Sequence, residues 1–170
     1  MSTITQHSIP TGTWSVDPVH SHVAFEVAYA GTSTFSGGFR EFGGAVADGI
    51  LTGAATVASV DVKDEQLNGH LQTPDFFDSR RFPEITFRTS DLERGELTIK
   101  GVTRPVAISA SVSEPNVDPF GRERVGVILE ATVDRNEFGV SWNAPNQGGG
   151  NYLGDDVKIV ADLSLVKQES

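Results

Sequence analysis

"RERVGVILEATVD" (residues 122–134) and "DVKIVADLSLVK" (residues 156–167) carry the clearest periodic signal in the chain. In the first, Val125, Val127, Leu129, Ala131 and Val133 fall on every second position, and in the second Val157, Ile159, Ala161, Leu163 and Leu165 do the same. Arg124, Glu130, Lys158 and Asp162 sit between them. Side chains on a strand point alternately to its two faces, so both stretches read as strands with one apolar and one wetted face.

The same reading extends outward. "TGTWSVD" (11–17) alternates Trp14 and Val16 with polar neighbours, and "VHSHVAFEVAY" (19–29) puts Val19, Val23, Phe25, Val27 and Tyr29 on one face. "TFSGGFREFGGAVA" (34–47) follows a turn at Ala30-Gly31, and "ILTGAATVASVDV" (50–62) returns after Asp48-Gly49, a hairpin signal. Further strands read at 84–91, 96–100 and 102–112, punctuated by Arg94-Gly95 and Gly101. Only "KDEQLNGHLQT" (63–73) resists: it lacks a β-branched run, has Leu67 and Leu71 four apart, and predicts a short helix stopped by Pro74.

Eight or nine antiparallel strands with one helix and no alternation of strand and helix leave a barrel or a sandwich. Gly37, Gly38, Gly43, Gly44 and Gly53 lie inside strand patterns, where glycine marks bulges, corners or a place that must stay empty. That favours an eight-stranded barrel, whose interior is either filled by side chains or holds one elongated guest. Residues 34–62 have apolar and small residues on both faces, so their register is open by one position.

The chain has 170 residues and reads as a flexible tail over 1–10 and a single domain over 11–168. It has no cysteine, which excludes disulfides, thiolate metal sites and thiol nucleophiles. A net charge of -10 argues against nucleic acid or an anionic membrane as the main partner. The opening "MSTITQHSIPTGTW" has no basic segment followed by an apolar one, and no run approaches the ~20 apolar residues of a spanning helix. The expectation is a cytoplasmic protein without stable membrane insertion.

Two connections, 63–83 and 136–156, exceed the ~12–15 residues of ordinary loops, and both carry aromatics, as lids or binding loops flanking one opening would. In "HLQTPDFFDSRRFPEITF" (70–87), Phe76, Phe77 and Phe82 either plug a barrel end as core or line an entrance that parts for a chain.

Several ordered blocks together resemble the YceI-like, polyisoprenoid-binding proteins of lipocalin-like fold: "WSVDPVHSHVAFEV", "HLQTPDFFDSRRFPEITF", "LTIKGVTRPVAI", "FGVSWN" and "GDDVKI". The resemblance implies an all-β, extended eight-stranded antiparallel barrel with a short helix near its mouth. It also implies an apolar tunnel for a long isoprenoid or similar lipid, no cofactor and no catalysis; a homodimer would fit the family, though no interface is legible. The tunnel and mouth would be lined by Val23, Phe25, Val27, Phe35, Phe39, Leu67, Leu71, Phe76, Phe77, Phe82, Phe87, Ile99, Val106, Ile108, Val127, Leu129, Phe138, Trp142 and Ile159. A strand of about 10 residues rises about 33 Å, which sets the expected reach of the tail.

Arg80 and Arg81, with Asp78 and His70, are the head-group candidates, since an Arg fork suits phosphate or pyrophosphate; their plain alternative is surface charge. Arg80 departs from the family, which often has an acidic residue there. His20-Ser21-His22 with Glu26 invites a metal reading, yet lies opposite Val23, Phe25 and Val27 and so on the outer face, where surface or structural hydrogen bonding is the ordinary role. An enzyme would need Asp75, Asp78, His70 or Asp155-Asp156 held in a cavity, and neither a nucleophile elbow nor a His-Glu-x-x-His motif is present; Gly148-Gly149-Gly150 lacks the Lys of a phosphate loop.

Overall fold

The structure is a computed structural model that describes residues 8–144 and 152–168. Most of the tail expected over 1–10, and the glycine run at 148–150, lie outside those residues. In chain order the elements are β1 (Trp14–Val16), β2 (His22–Tyr29), β3 (Ser33–Phe39), β4 (Phe42–Ala47), β5 (Ile50–Thr56), β6 (Val60–Asp61), α1 (Glu65–Leu71), β7 (Glu84–Asp91), β8 (Arg94–Ile99), β9 (Val102–Ala107), β10 (Ser109–Val112), β11 (Asn116–Val117), β12 (Glu123–Asp134) and β13 (Leu153–Lys167).

The described residues thus form thirteen strands where eight were expected, all in one antiparallel sheet. The difference arises because long strands are broken at corners. β13 runs unbroken for 15 residues. Along one edge it pairs with β12 from Asp156 to Val166, and along the other with β2 and then β1. The intervening residues 17–21 loop out, tied back by Asp17 N–H donating to Ser164 O (2.9 Å) and Ser164 N–H donating to Ser21 Oγ (2.8 Å). Val19, assigned to the inner face, stands in this loop 83% exposed.

A second corner breaks two strands at the same level. β3 ends at Phe39 and β4 begins at Phe42, while β5 and β6 are separated by a 3₁₀ turn, Val57–Ser59. Arg40 N–H donates to Ser59 O (3.1 Å) and Thr56 N–H to Glu41 O (2.8 Å), so the bends in neighbouring strands are stitched together. From β1 the ladder passes through β4, β5, β7 and β8 to β9. The chain itself, at Ile108, carries it from β9 into β10, which pairs with β12. The circuit is completed by a bend in the chain rather than by a last row of hydrogen bonds.

Hairpin turns follow the residue chemistry. Asp48-Gly49 and Lys100-Gly101 both have positive φ at both positions (53° and 76°, 53° and 77°), the two-residue turn whose twist matches antiparallel strands. α1 starts at Asp64, whose carboxylate accepts from Leu67 N–H at 3.0 Å as an N-cap. It ends at Leu71, before Pro74, and lies over one end of the barrel, its Leu71 buried.

The interior divides in two. At one end Trp14, Val46, Leu51, Leu92, Val112, Val125, Val127 and Leu165 pack together with almost no exposed surface. At the other, α1 and the aromatics of 76–77 close over Phe39, Ala55, Val60, Val62, Leu97, Ile99, Val106, Val133 and Phe138, with many partly buried neighbours.

A cavity at the open end of the barrel

That second end encloses a cavity of about 510 Å³, within the ~300–1,000 Å³ of small-molecule sites and far above a packing void. Its wall is built by the alternation seen in the sequence: Val23, Phe25, Val27 and Tyr29 from β2; Phe35 and Phe39 from β3; Val157, Ile159, Ala161 and Leu163 from β13. Along β12 the wall runs from Val133 to Leu129 and stops there. Val127 and Val125, one and two alternations further on, belong to the closed end. The floor therefore lies at Leu129, Leu163 and Leu51. From Val157 to Leu163 is six steps of about 3.3 Å, so the regular part of the wall follows β13 for about 20 Å, and Leu153, beyond a shift of register, extends it toward the mouth.

One wall is bare. Gly44 and Gly53 face each other across β4 and β5 and both line the cavity, with Phe87 opposite Gly53 on β7. A Cβ on Gly53 would meet only Gly43 O, at 3.6 Å, whereas one on Gly44 would sit 2.6 Å from Thr52 O. Gly44 answers to close backbone approach, and Gly53 leaves room in the cavity.

The mouth is aromatic. The His70 ring meets Phe76 and Trp142 edge-on, with centroids 5.0 and 4.8 Å away, and its Nε2 lies 3.1 Å from Asp75 Oδ2. Tyr29 and Tyr152 stack at 6.0 Å on the same rim. Lys100 Nζ donates to Pro74 O (2.6 Å) and Gly139 O (3.2 Å), joining the segment after α1 to the turn after β12.

Of the residues assigned to the tunnel, all but Phe82 and Val127 lie on the wall. Phe82 packs from outside over Gly101, beneath the Arg81 guanidinium. The reason is local: Asp78 takes a left-handed conformation (φ 52°), and Arg81 and Phe82 N–H groups donate back to its carbonyl, turning the chain outward. Of the head-group candidates, His70 reaches the wall; Arg80 and Arg81 are exposed outside it, and Asp78, though buried, faces Arg81 at 3.6 Å rather than the cavity. His20 pairs with Asp17 at 2.7 Å and His22 is exposed, away from the wall. Asp155 accepts from Asn136 Nδ2 at 2.8 Å.

Sequence reasoning missed Phe42, Leu97, Val140 and Leu153; it had marked Gly44 and Gly53 as bulges, corners or a place that must stay empty, and both lie on the wall. It also missed Arg135, the one charged side chain that is both buried (6% exposed) and on the wall among the described residues. Arg135 sits in a 3₁₀ turn, Arg135–Phe138, right after β12. Its Nε donates to Gly154 O (2.9 Å) and its Nη1 to Val140 O (2.7 Å) and Trp142 O (2.9 Å). Burial pushes the guanidinium below its ordinary value, and the charges of Asp155 and Asp134 oppose that shift. A β-strand ending in an Asp-Arg pair was the available signal, hidden because charge at a strand end reads as solvated.

The model of the YceI-like domain family matches residues 14–165. A Staphylococcus aureus (strain N315) relative, UPF0312 protein SA2479, is 32% identical over 164 residues, covering 89% of this chain and 96% of its own. Among solved structures, a polyisoprenoid binding domain from Saccharophagus degradans covers 91% of this chain and 98% of its own with a TM-score of 0.75 at 12% identity. Burkholderia cenocepacia BcnA covers 88% and 98% with a TM-score of 0.71 at 22% identity. At these identities the two structures share the barrel architecture, and the sequence match carries kinship: the chain belongs to the YceI-like domain family.

Proposed function

We propose that the protein binds one long apolar chain in the open half of its barrel and carries, stores or sequesters it without chemical change. The observation that supports this is the cavity, which is walled almost entirely by aliphatic and aromatic side chains and bare backbone. Removing apolar surface from water contributes about 25 cal/mol per Å², less the cost of ordering a flexible guest. A polyisoprenoid, an isoprenoid quinone or a fatty-acid derivative fits the lining, and the similarity to a polyisoprenoid binding domain supports the first two. Selectivity for the tail should be loose, since one methylene changes discrimination by only about 1–3 kcal/mol.

We read the site as non-catalytic. The acid-base pair on the rim is His70 with Asp75, and no side-chain hydroxyl is hydrogen-bonded to the His70 ring among the described residues.

Native mass spectrometry of protein purified without delipidation, followed by organic extraction, tests the reading. A stoichiometric adduct of isoprenoid or fatty mass is the expected result. A bare mass that persists after soaking with polyprenols, quinones and fatty acids would overturn it.

A further inference from the structure

The cavity is stopped abruptly at its inner end. On β12 the inward residue Leu129 is on the wall, and the next inward residue, Val127, belongs to the closed core. β13 switches at the same level: Leu163, opposite Val127 in the ladder, is on the wall, and Leu165 below it is in the core. Across the barrel Leu51 reaches the cavity from β5, while its partner on β4, Val46, is again in the core. Val16 of β1, on the wall beside Gly44, packs against that core. Val46, Val127 and Leu165 are at most 1% exposed. Interiors packed this closely do not part for an extra methylene without strain. One alternation above the stop, β12 and β13 carry Ala131 and Ala161, both on the wall, so the bore widens as soon as the floor is passed.

We infer that Leu51, Leu129 and Leu163 form a gauge that limits how long a tail the protein encloses, so that its guests are a length class rather than any long apolar chain. This rests on the cavity being a binding site and adds a maximum length to that reading. A fully extended chain advances about 1.2 Å per bond. The regular wall from Val157 to Leu163, about 20 Å, therefore takes about 16 carbons. Measured from Leu153 the span is at most about 33 Å, or about 27 carbons, the register shift on the way making this an upper bound. Tails in that range, roughly four to seven isoprene units, are drawn wholly out of water. A longer tail leaves its excess outside the mouth, where further methylenes contribute nothing to affinity.

The test is a length series: saturated fatty acids from octanoate to triacontanoate, titrated calorimetrically from cyclodextrin and corrected for each acid's affinity for cyclodextrin. All share one carboxylate, so differences among them report the tail. Affinity for the wild type should climb about four-fold per methylene and then level off between about 16 and about 27 carbons. Ala161→Leu raises the floor by one alternation, about 6.6 Å, and should bring the break about five carbons earlier. Leu163→Ala lowers the floor and should move the break to longer acids.

An affinity that keeps climbing to triacontanoate overturns the gauge, although the cavity reading then survives. So does a break that stays at the same length in Ala161→Leu while all affinities fall together, which is the signature of a wall residue that measures nothing. If no acid binds the wild type, the cavity reading falls and the gauge with it. Should Leu163→Ala fail to fold, Ala161→Leu decides alone, because it adds bulk at a partly buried position that faces the cavity.

Discussion

The two ends of this barrel are made of the same strands and do opposite things. On β12, Val125 and Val127 are packed shut, while Ala131 and Val133, on the same face of the same strand, look into a cavity. On β13, Leu165 is fully buried at the closed end and Ile159 is only partly buried at the open one. The alternation is equal in both halves. What differs is the opposing wall: Trp14, Leu92 and Val112 fill the closed end, whereas Gly53 and Ala55 leave the open end empty. One end supplies stability, and the other spends packing on an opening.

The largest expected effect sharpens that contrast. Leu165→Ala, at 0% exposure, should lower stability by about 2–5 kcal/mol in urea denaturation, as large-to-small changes in packed cores do. Leu67→Ala, on the helix above the cavity, should lower it by no more than about 1.5 kcal/mol, since its side chain is only half-buried beside space already empty. Equal losses would mean that the open end is as tightly packed as the closed one.

Next in size is an attempt to fill the opening. A Cβ added at Gly53 meets nothing closer than Gly43 O at 3.6 Å, so Gly53→Leu can enter the cavity and its Tm should stay near the wild type's. Its affinity for palmitate should fall about ten-fold or more, roughly 1.4 kcal/mol or greater. A large fall in Tm with binding unchanged would place the glycine in a packed wall instead of a vacant one.

How much of this was legible follows the same division. The closed end, β12 and β13 above all, could be read from period-two alternation, because those strands run unbroken across the molecule. The region 34–62 could not. Its inward residues are Phe35, Gly37 and Phe39, then Phe42, Gly44 and Val46, so the two-residue break at Arg40-Glu41 shifts the alternation by one. The turn at Val57–Ser59 does it again, from Leu51 and Ala55 to Val60 and Val62. A corner is a tertiary feature, held by hydrogen bonds from Arg40 N–H to Ser59 O and from Thr56 N–H to Glu41 O that no local pattern announces. The aromatic residues of the mouth were visible as a cluster, but the outward turn at Asp78 that removes Phe82, Arg80 and Arg81 from the site depends on one left-handed residue. Arg135 was illegible for a different reason, because its burial is created by lid segments distant along the chain.

The chain's two tryptophans stand one at each end, Trp14 buried in the closed core and Trp142 36% exposed on the rim. Acrylamide should therefore quench Trp142 and spare Trp14, which single-tryptophan variants Trp14→Phe and Trp142→Phe can separate. A guest should shield Trp142 and leave Trp14 unchanged. Removing the Trp142 ring by Trp142→Ala deletes its contacts with His70 and Phe76, worth about 0.5–1.5 kcal/mol, and should open the mouth more than it unfolds the barrel.

The smallest effect concerns acid, and it belongs to the closed end. There Arg124 bridges Asp118 (Nε to Oδ2, 2.7 Å) and Asp17 (Nη1 to Oδ2, 2.9 Å), holding the outlooped 17–21 segment against the turn after β11. Both carboxyls lie well below the usual carboxylate range: Asp17 through its hydrogen bonds with His20 and then Arg124, Asp118 through Arg124 and then the Arg122 N–H. A carboxyl depressed by folding stabilises the native state above its unfolded value of about 3.9 and loses that contribution as pH falls further. The wild type should therefore lose stability below about pH 4, and Asp118→Asn, which keeps the shape without the charge, should be less stable at pH 7 and show a shallower decline on acidification. Urea midpoints at pH 7, 4 and 3 measure both slopes. Parallel slopes would move the acid sensitivity away from this clamp.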